Sequence, residues 1–122
     1  RMVGSGGAHD IACLANRLVI LMPHDPRRFV DNVDFVTSPG LSDARSGLSL
    51  PPGPTSLITE RGKFTFGTGT AALTETMPGF NANDAVQGLS WEVEKSIDFL
   101  EVEAFDKQVL DVARKRLAYL FK

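Results

Sequence analysis

RLVILMPHDPRRF, residues 17–29, decides how the rest of the chain is read. Leu18 to Met22 is an unbroken apolar run rich in leucine and β-branched residues. A short run of that kind, without alternation, reads as a strand buried on both faces, the habit of parallel sheets. Pro23 ends it, because proline has no N–H to give to a ladder. Met22 to Phe29 then places His24, Asp25, Arg27 and Arg28 just beyond the carboxyl end of the strand. In open α/β sheets that edge is where ligands bind.

Upstream, GSGGAHD (Gly4–Asp10) leads into DIACLAN (Asp10–Asn16), which reads as a short helix. Successive N–H groups of a glycine loop before a helix suit a carboxylate, a phosphate or an oxyanion. A simple turn is the equally open alternative. Gly4 and Gly6 fit the start of a GxGxxG fingerprint, but His9 stands where the third glycine belongs. The lysine and the spacing of a phosphate-binding P-loop are absent as well.

Downstream, Phe29 to Thr37 reads as a turn of helix running into a short strand, and Ser38 to Pro54 as loop. Ser56 to Phe66 alternates and turns at Arg61-Gly62, and Ala72 to Met77 supplies another arm of an antiparallel meander after the GTGT turn. Asn81 can cap a short helix, with Asp84 at its third position and Gly88 past its end. Ser96 to Phe105 reads as a strand with Ile97, Phe99, Leu100 and Val102 inward. A last helix starts at Asp106, with Val109, Leu110, Ala113, Leu117, Leu120 and Phe121 in one apolar stripe. Arg114, Lys115, Arg116 and Lys122 sit at its carboxyl end, where the helix dipole favours cations. The pattern is α/β: an open sheet of mixed parallel and antiparallel strands with flanking helices.

The 122 residues are 43% hydrophobic and 23% charged, with a net charge of −2, which suits one domain over residues 1–122. That charge gives no drive toward nucleic acid or an anionic membrane. The run Leu18–Met22 is far too short to span a bilayer. One cysteine, Cys13, excludes an internal disulfide, and no signal-peptide pattern is visible, so a cytoplasmic setting is expected. Arg1 in place of methionine reads as a chain that is processed, trimmed or a piece of something longer.

The reactive side chains read mostly as structural. Cys13, among Ile11, Ala12 and Leu14, reads as a buried small apolar residue. His9 and His24 are the only histidines and have no metal-ligand spacing, so no metal is expected. His24 reads as a hydrogen-bonded group at a strand end. Arg27 and Arg28 read as a solvated pair or as partners of Asp31 or Asp34, with a clamp on a carboxylate or phosphate as the functional alternative. The glutamates at 75, 92, 94, 101 and 103 read as surface residues.

Taken in order, these segments resemble the second half of the β subunit of family I coenzyme A transferases, closest to the glutaconate CoA-transferase-like group. The matching stretches are Gly4–Asp10, Met22–Phe29, Val33–Phe35, Thr37–Gly40, GPTSLITERGKFTF and ETMPGFNANDAVQ, covering nearly the whole chain. The resemblance implies a CoA-transferase-like open sheet, an α-subunit partner, and acyl-CoA and carboxylic acid substrates with no resident cofactor. In that family a glutamate attacks the thioester, forms an acyl anhydride and then carries CoA as a glutamyl thioester. That glutamate lies in the earlier half of the β chain, and no residue here matches its motif. The resemblance also implies a substrate- or CoA-binding segment at Gly4, Ser5, Gly6, Gly7 and Ala8. It implies that Asp10 caps the helix or fixes the loop. His24 and Arg28 match family positions, whereas His9 stands where relatives usually have Asn or Met. Hydrolysis of CoA thioesters on the same fold is the runner-up, and a non-catalytic scaffold subunit is the alternative outside enzymes.

Overall fold

The computed structural model describes residues 5–41, 45, 47–67 and 70–118. Its elements in order are α1 (Gly6–Leu14), β1 (Leu18–Leu21), a 3-10 turn (Pro26–Arg28), β2 (Pro54–Ile58), β3 (Gly62–Phe66), β4 (Ala71–Thr76), α2 (Ala82–Val86), β5 (Val93–Glu101) and α3 (Lys107–Arg116). Gly4, Thr68, Gly69, Leu120, Phe121 and Lys122, all used in the sequence reading, lie outside the described residues.

The strands form one sheet in the order β1–β2–β3–β4–β5. The two outer pairings, β1 with β2 and β4 with β5, are parallel. The two inner pairings are antiparallel, so the expected meander is its centre. Leu57 lies opposite Phe64, and Phe64 opposite Leu73, which makes one apolar row across three strands. These three, with Phe29 and Ala85, are the buried core. Ile20, Met22, Phe66, Val86, Leu89, Val93 and Phe99 pack around it.

α2 lies on β4 and seals this row. Its start is fixed by a complete capping box: Asn81 Oδ1 accepts from the Asp84 N–H, and Asp84 Oδ2 accepts from the Asn81 N–H. The helix can come this close because Gly62 has no side chain. A Cβ there would stand 3.0 Å from the Glu75 carbonyl oxygen and 3.2 Å from the Ala85 Cβ.

Several elements depart from the sequence reading. β1 is an edge strand, not one buried on both faces: Leu18 and Ile20 are half-buried, while Val19 is exposed and Leu21 is 80% exposed. Its parallel pairing holds, but nothing in this chain covers its second face among the described residues. Residues 33–37 form no strand, because no described strand pairs with them; Val33, Phe35 and Val36 are exposed. The turn of helix expected near Phe29 falls earlier, at Pro26–Arg28, where proline pre-sets the first position.

The inward set of β5 also differs. Phe99 does pack on the core, but Ile97 is 99% exposed and Leu100 is exposed too. The cause is an irregular register: β4 advances from Leu73 to Glu75 while β5 advances from Lys95 to Leu100. A bulge of that kind breaks the alternation on which the expectation rested. α3 starts as expected, with Asp106 Oδ1 accepting from the Gln108 N–H at 2.7 Å. The described part of its stripe is not buried: Val109 and Leu117 are exposed, and Leu110 and Ala113 are half-buried.

Thr76, at the end of β4, is 1% exposed, and its hydroxyl finds no hydrogen-bond partner among the described residues. A buried hydroxyl left unsatisfied costs roughly 1–3 kcal/mol, and valine keeps the branched shape without the polar atom. Thr76→Val therefore raises stability by about 1 kcal/mol, read as a higher urea midpoint at unchanged slope. A lowered midpoint overturns this account of Thr76.

Candidate functional site

The sequence-predicted residues fall on two segments of the fold. Ser5, Gly6, Gly7, Ala8 and Asp10 belong to the start of α1, and His24 and Arg28 to the turn after β1.

In the described part of the glycine segment, Gly6, Gly7 and Ala8 are not a loop before a helix but the first turn of the helix itself. α1 begins at Gly6, four residues earlier than the sequence pattern indicates. Gly6 has φ +54°, a left-handed conformation that glycine adopts at little cost. Ser5 is in the helical region of backbone space and makes no side-chain cap. No acidic residue stands in the first turn. Asp10 is an exposed mid-helix residue, too far along to cap, so the capping expected of it is corrected.

His9 lies one turn further on. Its Nδ1 is 2.9 Å from the Thr37 carbonyl oxygen, which can only accept, so Nδ1 carries a hydrogen. In the neutral ring Nε2 is then an acceptor, and Cys13 Sγ approaches it at 3.5 Å. Cys13 is buried, as its apolar neighbours in sequence indicate.

His24 is 5% exposed and occupies the carboxyl end of β1. Its Nε2 donates to the Gln87 carbonyl at 2.8 Å, which fixes the tautomer. Nδ1 lies 3.2 Å from Thr59 Oγ1. The Thr59 hydroxyl also accepts from the N–H groups of Arg61 and Gly62, both at 3.2 Å. Its single hydrogen has two acceptors in reach, His24 Nδ1 and the Gly62 carbonyl oxygen, each at 3.2 Å. The backbone N–H of His24 donates to Glu60 Oε2 at 2.7 Å. The ring packs 5.2 Å from Phe29, which meets Trp91 edge-on at 5.4 Å.

Asp25 points away from His24 and into an ion pair. Its two oxygens take Nε and Nη2 of Arg27 at 2.7–3.1 Å, and it caps the 3-10 turn through the Arg27 N–H. The side-chain bond from Arg27, with its backbone bond next, holds the Asp25 carboxyl down at about 2. Arg27 thus pairs with Asp25 rather than with Asp31 or Asp34. Arg28, exposed on the same turn, stands outside that pair. Beside the turn lies an open depression of about 500 Å³, lined by Leu21, Met22, Pro23, Thr59 and Glu60.

Sequence reasoning does not find Thr59, Glu60 or Gln87. Glu60 was the legible one, since it adjoins the Arg61-Gly62 turn. Thr59 and Gln87 meet His24 across 35 and 63 positions of chain, which no local pattern reveals. Among the described residues no group of three histidine, cysteine, aspartate or glutamate side chains is placed to hold a metal ion. None of the described helices is long and apolar enough to cross a membrane.

No protein-family model matches the chain. The B subunit of the glutaconate CoA-transferase of Acidaminococcus fermentans is 35% identical over 124 residues, covering 96% of this chain and 46% of that one. The B subunit of the 3-oxoadipate CoA-transferase of Pseudomonas knackmussii is 30% identical over 125 residues, covering 93% of this chain and 46% of that one. The crystal structure of the A. fermentans glutaconate coenzyme A-transferase matches with a TM-score of 0.76 at 32% identity, over 94% of this chain and 46% of that one. A variant of the decarboxylase AibA/AibB matches with a TM-score of 0.70 at 23% identity, over 93% of this chain and 44% of that one, which shows the fold alone. The mixed five-stranded open sheet with flanking helices is therefore the arrangement of a CoA-transferase structure. The chain spans less than half the length of the curated relatives it matches.

Glu60 carries the pH dependence of the turn. Burial works to raise its carboxyl pKa, but the N–H bonds of His24 and of its own backbone, with the nearby positive charge, bring it below the usual 4.5. A folded value below the unfolded one means a contribution fully present above pH 4.5 and lost as pH falls through the folded value. In an NMR titration the Glu60 carboxyl responds below 4.5 and Asp25 near 2. A Glu60 midpoint at or above 4.5 rules out its bond to His24 in solution.

Proposed function

We propose that the chain is part of the B subunit of an acyl-CoA:carboxylate CoA-transferase that works with an α subunit. In this reading the glycine-led start of α1 receives the charge that develops on the thioester oxygen. The observation that carries it is the helix start itself: Gly6, Gly7 and Ala8 open α1 with no side-chain cap from Ser5 and no acidic residue in the turn. The similarity to two CoA-transferase B subunits supplies the reaction class.

The first N–H groups of any α-helix lack intrahelical partners and carry the positive end of its dipole. Attack of a carboxylate on a thioester carbonyl forms a C–O bond and places negative charge on the former carbonyl oxygen. Collapse of that intermediate expels the CoA thiolate and leaves an acyl anhydride. Donors aimed at the oxygen lower the barrier because they need no reorganisation as the charge appears. The short side chains of this turn let a ligand come close to the backbone. No residue of this chain is assigned as the nucleophile. Arg28, exposed on the turn after β1, is a cation available for an anionic part of the substrate.

Gly6 is a poor position for a test, since its φ of +54° would strain any other residue. Gly7 is better. A Cβ there meets nothing within 4 Å, and its backbone is not in the left-handed region. Gly7→Val leaves folding and assembly of the full-length complex intact. It lowers CoA transfer from acyl-CoA to free carboxylates by roughly 10²–10³-fold, the scale of losing an oxyanion donor. Normal turnover retires the role of the helix start. CoA released to water at a rate independent of added carboxylate replaces the transferase with a thioester hydrolase.

A further inference from the structure

Arg45 is 3% exposed, and no carboxylate is among its hydrogen-bond partners in the described residues. Its guanidinium instead gathers four main-chain carbonyl oxygens. Nε donates to Gly40 at 2.7 Å and Nη1 to Pro51 at 2.7 Å, while Nη2 donates to both Ala12 and Pro39 at 2.8 Å. These oxygens come from the last turn of α1 and from both limbs of the segment between Ser38 and Pro54. The fit is close: a Cβ on Gly53, whose φ is +94°, would lie 2.9 Å from Nε and 3.0 Å from Cζ.

We infer that Arg45 is the positioning residue that sets where the amino end of α1 stands. The inference rests on the reading of that end as the oxyanion-binding turn. The Ala12 carbonyl belongs to the last turn of the helix, where carbonyls lack intrahelical partners and the dipole end is negative. A cation there is bonded and electrostatically favoured at once. Only a planar fork with several donors can join three separate segments in this way; a lysine ammonium is a compact point charge with three donors. A further side-chain tie of α1 among the described residues is the exposed bond from His9 to the Thr37 carbonyl. α1 is about 13.5 Å long at 1.5 Å per residue, so a tilt of about 10° at its carboxyl end moves its amino end by about 2 Å. Displacements of about 1 Å at a reacting centre cost on the order of 100-fold in rate.

The test uses the full-length complex with Arg45→Lys, Arg45→Ala and Gly53→Ala. Two readouts are followed: kcat and KM for CoA transfer, and hydrogen exchange of the amides of residues 6–14. The expected result for Arg45→Lys is faster exchange in α1, unchanged exchange in β3, and a kcat lowered roughly 100-fold with KM within about threefold. Free guanidinium ion restores part of the rate to Arg45→Ala. Gly53→Ala keeps the charge but displaces the fork, and lowers kcat by a smaller factor. Unchanged α1 exchange in Arg45→Lys, or a kcat within about twofold of wild type, overturns the inference. A wild-type complex with no activity on CoA thioesters retires the transferase reading instead, while α1 exchange still reports on Arg45.

Discussion

A single buried imidazole holds the carboxyl edge of the sheet together. His24 joins the end of β1, the turn between β2 and β3 and the end of α2 through its ring nitrogens and its backbone N–H. Each of these segments ends an element, so each brings backbone groups without ladder partners. A ring with one donor and one acceptor, placed between a carbonyl and a hydroxyl, satisfies two at once. The Phe29 ring then closes over it and carries the arrangement into the core. The open depression beside Pro23 is lined by Thr59 and Glu60, the two residues of the β2–β3 turn that His24 bonds.

The centre of the sheet was legible because its determinants are local. Alternation in Ser56–Phe66 and Ala72–Met77 has one satisfactory reading, and the capping signals at Asn81 and Asp106 depend on a few neighbouring residues. The elements that differ depend on neighbours that sequence does not reveal. Whether Leu21 is buried depends on what lies beside β1, and whether 33–37 is a strand depends on a pairing partner. β5 differs for another reason: period-two reasoning cannot anticipate a register that slips between Lys95 and Leu100.

The candidate site divides along the same line. A strand ending at Pro23 with polar residues beyond it is written in the chain, and the buried, hydrogen-bonded His24 follows from it. The glycine segment was visible as a feature but not as a helix start, since glycines weaken a helical pattern instead of announcing one. Arg45, Thr59 and Gln87 carry no local signal. Their partners are main-chain oxygens, or a ring far along the chain, and such contacts exist only after folding.

The slip in β5 has a consequence for life in a crowded solution. Among the described residues β5 is an outer strand of the sheet, and outer strands offer unpaired backbone groups to an extended chain. A flat ladder here would be a template for runaway stacking between molecules. The excess residues between Lys95 and Leu100 interrupt the even spacing that such stacking needs, and Lys95 and Asp98 place charges on the same stretch. The irregularity that misleads a reader of the sequence also makes β5, as the sheet stands among the described residues, a poor template for a regularly paired added strand.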